Sequence, residues 1–544
     1  MTATLTRTRF LAALVAVSML ALLFVAASGA VPLLPAGDSA DRPDDPATED
    51  TVGYVEGYWH DDELAVDDRD DAAIEDEDEL ESVIYRSMAR VEEIRGLTFE
   101  DEVPVDVISR EEFQEDHDEL FVELSADERV QQNVTYEALF MVDSETDAEA
   151  ELESMYGDSV GGYYDPGANE VVLVSDSPES PEVDEVILGH ELLHALQDQH
   201  FDLSGYDRET IDQDNAKNGL IEGDAVTVET EYDRNCGVEW DCLPETEVQP
   251  SQPSDVNWGI YSMLIHPYDE GPAYVDFLLE ADDGWSAVDA AYDDPPQHSA
   301  EVIHPDEERE LADVSIEDES DEAWEPFEVD GEVATETVGE AGMVAMFGGN
   351  ALDPTQPSVI EDDAFLTPDF RIDYDQPYTD GWAGDQLVTY VDSAAAANGT
   401  PATEETGFVW QTEWASSEDA EQFADGYGEL LELNGAESVD GEALYEIDDA
   451  YPGAYAVQTD GETVTIVRAP SVDDLDAVAA GVTADTDDAD NGDTDDAESG
   501  EPSELNETAD EDDGAASDDS IPGFAAPGAV IAVAVAVLAA RLRN

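Results

Sequence analysis

The chain has 544 residues, with 140 acidic against 17 basic ones, a formal net charge of −123, and Lys217 as its single lysine. Such a field repels phosphate backbones and argues against nucleic acid as a partner. It does not force disorder: 42% hydrophobic and 8% aromatic content is enough to bury cores, and at molar ionic strength, where charges are screened within about 3 Å, surface carboxylates hardly repel one another. The composition reads as adaptation to a hypersaline setting, with a dedicated calcium- or polycation-binding surface as the alternative.

In chain order, Arg7 and Arg9 precede the apolar run Phe10 to Ala27, and Ser28, Gly29 and Ala30 offer a cleavage site. Residues 1–30 therefore read as a secretory signal peptide, or else an uncleaved anchor. Residues 31–78 are acidic and irregular, with an aromatic cluster, "GYVEGYWHDD", that can pack onto the body. From Glu79, residues Val83, Ile84, Met88, Val91 and Ile94 fall at helical spacing, and "VPVDVIS" alternates as a strand. "GGYYDPGANEVVLVSD" gives two extended runs around a turn at Asp165 to Asn169.

Ser180, Pro181 and Glu182 then predict a helix start: an oxygen cap, a ring that fixes φ, and an acid at the positive end. That helix carries His190, Glu191 and His194 as an HExxH motif. Histidines four apart share one helix face, so both imidazoles reach one ion with the glutamate beside it. A catalytic Zn2+ takes three protein ligands and keeps one position open. Two residues compete for the third place. His200 reproduces the HExxHxxxxxH spacing of metzincin peptidases, but Gln197 stands where those proteins have the glycine that turns the chain back. On an unbroken helix His200 points away from the ion. Glu222, in "NAKNGLIEGDAVTVETEY", is preferred, because that run resembles the second helix of gluzincin peptidases, with Gly223 and Ala225 small enough for two helices to approach. Asp198, four residues past His194, is placed to accept that histidine's other N–H, or is simply a solvated helix acid. In the zinc-hydrolase reading Glu191 is the general base.

Cys236 and Cys242, the two cysteines present, read as a disulfide made in an oxidising compartment. Beyond them, "YDEGPAYVDFLLEADDGWSAVDAAYDDPPQHSAEVIHP" resembles a block found after the HExxH helix in zincin-like proteins of bacteria and archaea. Gly271, Trp285, Tyr292, Pro295, Pro296, Glu301, His304 and Pro305 hold the matching positions, as do Arg95 to Leu97 before the motif and Gly381, Trp382, Gly384 and Asp385 after it. The resemblance spans about 79–482 and implies a zincin-like metallopeptidase, whose domain the order of helices and strands puts at 79–350. A peptidase also needs an oxyanion donor, for which His304 and Tyr268 are the candidates, a buried structural role being the preferred reading of His304. His60, His117, His266 and His298 read as exposed.

Residues 351–482 alternate strands with one or two helices as a smaller α+β region, and 483–520 form an acidic spacer nearly free of large apolar side chains. Residues 521–544 place Pro522, Gly523 and Phe524 before an apolar stretch closed by Arg541 and Arg543. This tail resembles the haloarchaeal PGF sorting signal, which implies an archaeosortase-type processing enzyme and a lipid anchor; an ordinary transmembrane tail anchor is the alternative. Asn133, Asn398 and Asn506 begin N-x-Thr acceptors for glycosylation. Together these features predict an α+β, zinc-dependent peptidase that acts on proteins or peptides at the outer cell face. The rival reading is a zincin-derived surface or adhesion protein without turnover.

Overall fold

The computed structural model describes residues 42–43 and 46–483, with breaks at 70, 114–123, 157–160, 179, 245–255, 282–283, 308, 354, 369 and 440–442. The signal peptide, the tail at 521–544, the spacer apart from Thr483, His117 and Asn506 lie outside the described residues. Among the described residues no helix is long and apolar enough to cross a membrane.

The chain folds as mixed α+β. Residues 46–74 wrap the first helix, starting with a two-residue hairpin, β1 (Tyr54–Val55) and β2 (Tyr58–Trp59). Helix α1 (Glu77–Arg95) is capped by Asp76, whose side chain accepts from the Glu79 amide, and ends at Gly96, held at φ 82°. Left-handed backbone at that point suits a residue without a Cβ. A small sheet follows in the order β3-β5-β4, with β3 (Val105–Ser109) parallel to β5 (Glu170–Ser175) and β4 (Gly162–Asp165) antiparallel at its edge. Between β3 and β4 the chain makes α2 (Ala126–Ala138), closed by a Ser125–Glu128 capping box, and α3 (Ala148–Tyr156).

Helix α4 (Glu185–Phe201) carries the HExxH motif. Its cap is Asp184, which accepts from the Val186 and Ile187 amides, so the start predicted at Ser180 to Glu182 is displaced. The reason is tertiary: Ile74 donates to Pro181 O (2.9 Å) and Val183 to Ala72 O (3.2 Å), so the N-terminal wrap holds 181–183 extended. Helix α5 (Ile211–Asn235) is the spine of the molecule. Around it lie α6 (Trp258–Asp269), α7 (Gly271–Leu279), α8 (Trp285–Asp293) and α9 (Ser299–Ile303).

The second half is built on an antiparallel sheet in the order β12-β13-β14-β15-β11-β10-β6, with β9 also pairing to β10. Its strands are β6 (Trp324–Pro326), β9 (Thr335–Glu336), β10 (Trp382–Asp392), β11 (Thr406–Trp414), β12 (Glu437–Ser438), β13 (Leu444–Ile447), β14 (Gly453–Asp460) and β15 (Thr463–Ala469). A separate hairpin, β7 (Glu328–Val329) with β8 (Glu332–Val333), sits between β6 and β9. Helix α10 (Gly339–Gly348) and the short α11 (Asp362–Phe365) and α12 (Ser393–Ala396) precede α13 (Ser417–Leu433) and α14 (Val472–Val478). The sheet thus draws its first strands from 324–336, ahead of the boundary expected at 350. One core joins α2, α3, α6 and α10 to this sheet and α13. A second joins α1, α4, α5 and α8 with Val171 and Leu173 of β5.

Candidate metal centre

Helix α4 enters the second core on Leu188, Leu192 and Ala195, all with no exposed surface, and the histidines stand on the other side of the same turns. There His190, His194 and Glu222 meet, all fully buried. The two Nε2 atoms are 3.1 Å apart, and Glu222 Oε2 lies 3.4 Å from each. A tetrahedral ion bound at about 2.0–2.1 Å requires ligand atoms roughly 3.3 Å apart, so the triangle has the right size.

The protons settle the donor set. His190 Nδ1 is 2.8 Å from Glu229 Oε2, and His194 Nδ1 is 2.9 Å from Gln197 Oε1. Each acceptor takes an Nδ1–H, so each Nε2 presents a lone pair to its neighbour. Two facing lone pairs and a carboxylate repel unless a cation or a proton lies among them. Burial works against charge on His190, but its contacts with Glu222 and Glu229 outweigh it and push the imidazole up to about 10. Burial likewise works against charge on Glu222, and the two histidines hold it down at about 2. The site therefore favours a positive charge at its centre. Three acceptors at tetrahedral spacing fit a divalent ion such as zinc.

Glu191 is fully buried, and neither carboxylate oxygen makes a hydrogen bond of normal geometry. Burial pushes its carboxyl well above the usual range, helped by Glu222 and Glu229 and opposed by His190 and the Tyr164 amide. Edge strand β4 passes directly over it: a Cβ on Gly162 would lie 3.7 Å from Glu191 Cγ.

Of the residues expected from sequence, His190, Glu191, His194 and Glu222 come together. His200 does not: its Nε2 donates to Thr98 O (2.8 Å), on the far side of α4. Asp198 is not the partner of His194 either. Its Oδ2 accepts from Tyr164 OH (2.8 Å) and its Oδ1 from the Leu203 amide (3.0 Å), while Gln197 takes the histidine. His304 pairs through Nε2 with Glu340 (3.0 Å), joining α9 to α10, and Tyr268 is buried on α6. His266, expected to be exposed, has no exposed surface and packs edge-on against Tyr374. His298, also expected outside, is partly buried with Nδ1 2.7 Å from Asp212. Cys236 and Cys242 form the expected disulfide.

Residues 271–305 contribute joints around α5. Arg95 reaches Asp224 through Nε (3.0 Å) and lies 4.5 Å over the Trp285 ring, and Tyr292 OH donates to the same Asp224 (2.9 Å). Lys217 donates to Pro296 O (2.7 Å). Gly223 lies so close to Gly271 that a Cβ there would fall 2.3 Å from its carbonyl oxygen. That glycine admits α7, not α4 as its position beside Glu222 suggested. Between α4 and α5 the close approach is made by Gly189, whose missing Cβ leaves room for the Tyr232 ring. Asp385 accepts from the Val338 and Gly339 amides and from the indoles of Trp382 and Trp410, fixing α10 to the sheet.

Sequence reasoning missed Glu229, Gln197 and Glu185. The first was readable, since it falls two turns after Glu222 on the same face. Glu185 gathers Arg86 (3.0 Å), Arg90 (2.6 Å), Tyr232 OH (2.8 Å) and the Leu243 amide (2.9 Å) at the start of α4.

In comparison with known proteins, a family described as a domain of unknown function, DUF8575, matches residues 325–479. The match covers the second sheet and its helices and none of the His–Glu cluster. No curated protein and no solved structure matches the chain.

Proposed function

We propose that this chain is a zinc-dependent metallopeptidase of zincin-like fold, held at the outer cell face of a halophilic archaeon. One observation carries the reading: His190, His194 and Glu222 form a ligand triangle of tetrahedral size, with the fully buried carboxyl of Glu191 on the same helix as the two histidines. A scaffold has no chemical need for that carboxylate. A divalent ion held there supplies Lewis-acid activation of a water and of the scissile carbonyl. Glu191 takes the proton of the attacking water as the C–O bond forms and delivers it to the leaving amine as the C–N bond breaks. Glu229 and Gln197 keep both histidines in the tautomer that binds through Nε2. Edge strand β4 offers backbone groups on which an extended peptide can pair over Glu191. His304 and Tyr268 are the proposed oxyanion donors, although the Glu340 pair favours a bracing role for His304.

Secretion, the acidic spacer, the PGF-type tail with its archaeosortase and lipid, and the membrane-anchored location rest on sequence alone. A second reading, a non-catalytic zincin-derived surface protein, is favoured by one fact: all four central residues are fully enclosed. Metal analysis of the full chain in molar salt, with peptide cleavage by wild type and Glu191→Gln, separates the two. The peptidase reading expects one zinc per chain in both proteins and turnover in wild type only. Zinc without turnover supports the scaffold; no bound metal, or equal cleavage by both, removes the proposal.

A further inference from the structure

Two N-x-Thr sequences lie among the described residues, and the fold treats them differently. Asn133, Val134 and Thr135 sit inside α2. Asn133 is half-buried and its Oδ1 accepts the Ala148 amide (2.8 Å), tying α2 to the first turn of α3. Val134 and Thr135 are buried. A transferase that must grip the asparagine amide and the hydroxyl two residues on finds neither without unwinding the helix and opening a core. Asn398, Gly399 and Thr400 instead form an exposed turn just after α12, where the chain leaves β10. Gly399 adopts φ 126°, a conformation that L side chains rarely adopt. The Asn398 amide donates to Ala394 O (2.7 Å) and the Thr400 hydroxyl to Asp127 (2.8 Å), and both bonds are on the surface where water can replace them.

We infer that Asn398 is a site of N-linked glycosylation in the folded chain and that Asn133 is not. In the transfer, Nδ2 of Asn398 attacks the anomeric carbon of a lipid-phosphate-linked oligosaccharide. The N–C bond forms, the C–O bond to phosphate breaks, lipid phosphate leaves, and one amide proton passes to a base of the transferase. The glycan would stand on the second sheet's rim, on elements that give no residue to the metal centre. The exposure and backbone of the turn select the site. Its use in the cell rests on the outer-face location proposed above.

The experiment treats the folded full chain in molar salt with a purified oligosaccharyltransferase and its lipid-linked donor, followed by peptide mass mapping. A synthetic peptide spanning 394–404 verifies that the sequence is accepted. We expect modification at Asn398 and none at Asn133, loss of the former in Asn398→Gln, and modification of Asn133 only after thermal unfolding. Transfer to Asn133 in the folded chain overturns the inference, as does failure at Asn398 when the peptide is modified. The same mapping on chain recovered from cells separates site from location. Transfer in vitro with an unmodified cellular chain counts against the outer-face reading and leaves the site choice standing.

Discussion

Gln197 joins α4 to α5: its Nε2 donates to Ile221 O (3.0 Å) while its Oε1 accepts from His194 Nδ1 (2.9 Å). Because Ile221 precedes Glu222, one amide side chain fixes both the ring of His194 and the backbone beside Glu222.

Replacing Gln197 by Leu keeps the volume and removes both bonds. We expect a folded chain whose zinc affinity falls about 10- to 100-fold, the usual cost of losing the hydrogen bond behind a ligating histidine. Competition against a chromogenic chelator measures it. Unchanged affinity in a folded variant would show that the amide does not orient His194.

Glu185→Ala removes the acceptor shared by Arg86, Arg90, Tyr232 and the Leu243 amide. Arg86 keeps Asp67, but Arg90 is left buried with no carboxylate. Breaking one side of a buried ion pair costs about 3–5 kcal/mol. Denaturant unfolding at fixed molar salt should report a loss of that order, and one within experimental error of zero would remove the knot as a stabilising element.

Gly223→Ala tests the crossing of α5 and α7. The added carbon has no room against the Gly271 carbonyl, so the helices must part. Overpacking of this kind costs about 1–3 kcal/mol. Because Glu222 is the neighbouring residue, zinc binding should weaken together with stability. Gly57→Ala, where nothing lies within 4 Å but φ is 104°, controls for backbone strain without crowding.

Local pattern made much of this legible. Helical spacing located α1, and alternation with turn residues located β3, β4 and β5. HExxH spacing paired the two histidines, and the likeness of residues 215–232 to a gluzincin second helix pointed to Glu222, although Gly223 beside it makes room for α7. What failed depended on partners distant in sequence. The start of α4 moved because residues 72–74 pair with 181–183. Gln197 and Asp198 are three and four residues from His194 and both fit the helix face; only the arrival of Tyr164 and the Leu203 amide at Asp198 decides between them. His266 looked exposed because a lone histidine in "MLIHPY" carries no sign of the Tyr374 ring that covers it.

Stability should fall as pH rises through the neutral range. Burial pushes Glu92 and Glu336 up to about 8 from an ordinary value of 4.5, against the pull of the backbone amides they accept. A carboxyl with a raised folded-state pKa binds its proton more tightly in the folded chain. Its stabilising effect is complete below the unfolded value and is lost as pH climbs from about 4.5 to about 8. Unfolding free energy measured at pH 5 and pH 8 in equal molar salt should be larger at pH 5. Glu336→Gln should flatten the dependence, and an unchanged slope would show that Glu336 is ionised throughout.

Residues 325–479 match a domain family, yet they should not fold alone. Their core is shared with Val130, Val134 and Tyr136 of α2 and with Ile260 and Ile265 of α6. Tyr427 OH donates to Ala138 O (3.1 Å) and Tyr451 OH to Phe140 O (2.9 Å), and buried Arg468 meets Glu137 (3.4 Å). Cutting at 325 uncovers the apolar face of the sheet and strands Arg468 without its carboxylate, although its bonds to Thr406 O and Pro452 O remain within the fragment. The isolated fragment should bind a hydrophobic dye and melt without a cooperative transition, whereas the full chain unfolds cooperatively. A sharp transition and a dispersed NMR spectrum from the fragment would show instead that the sheet and α13 close their own core, leaving α2 as an attachment to a finished domain.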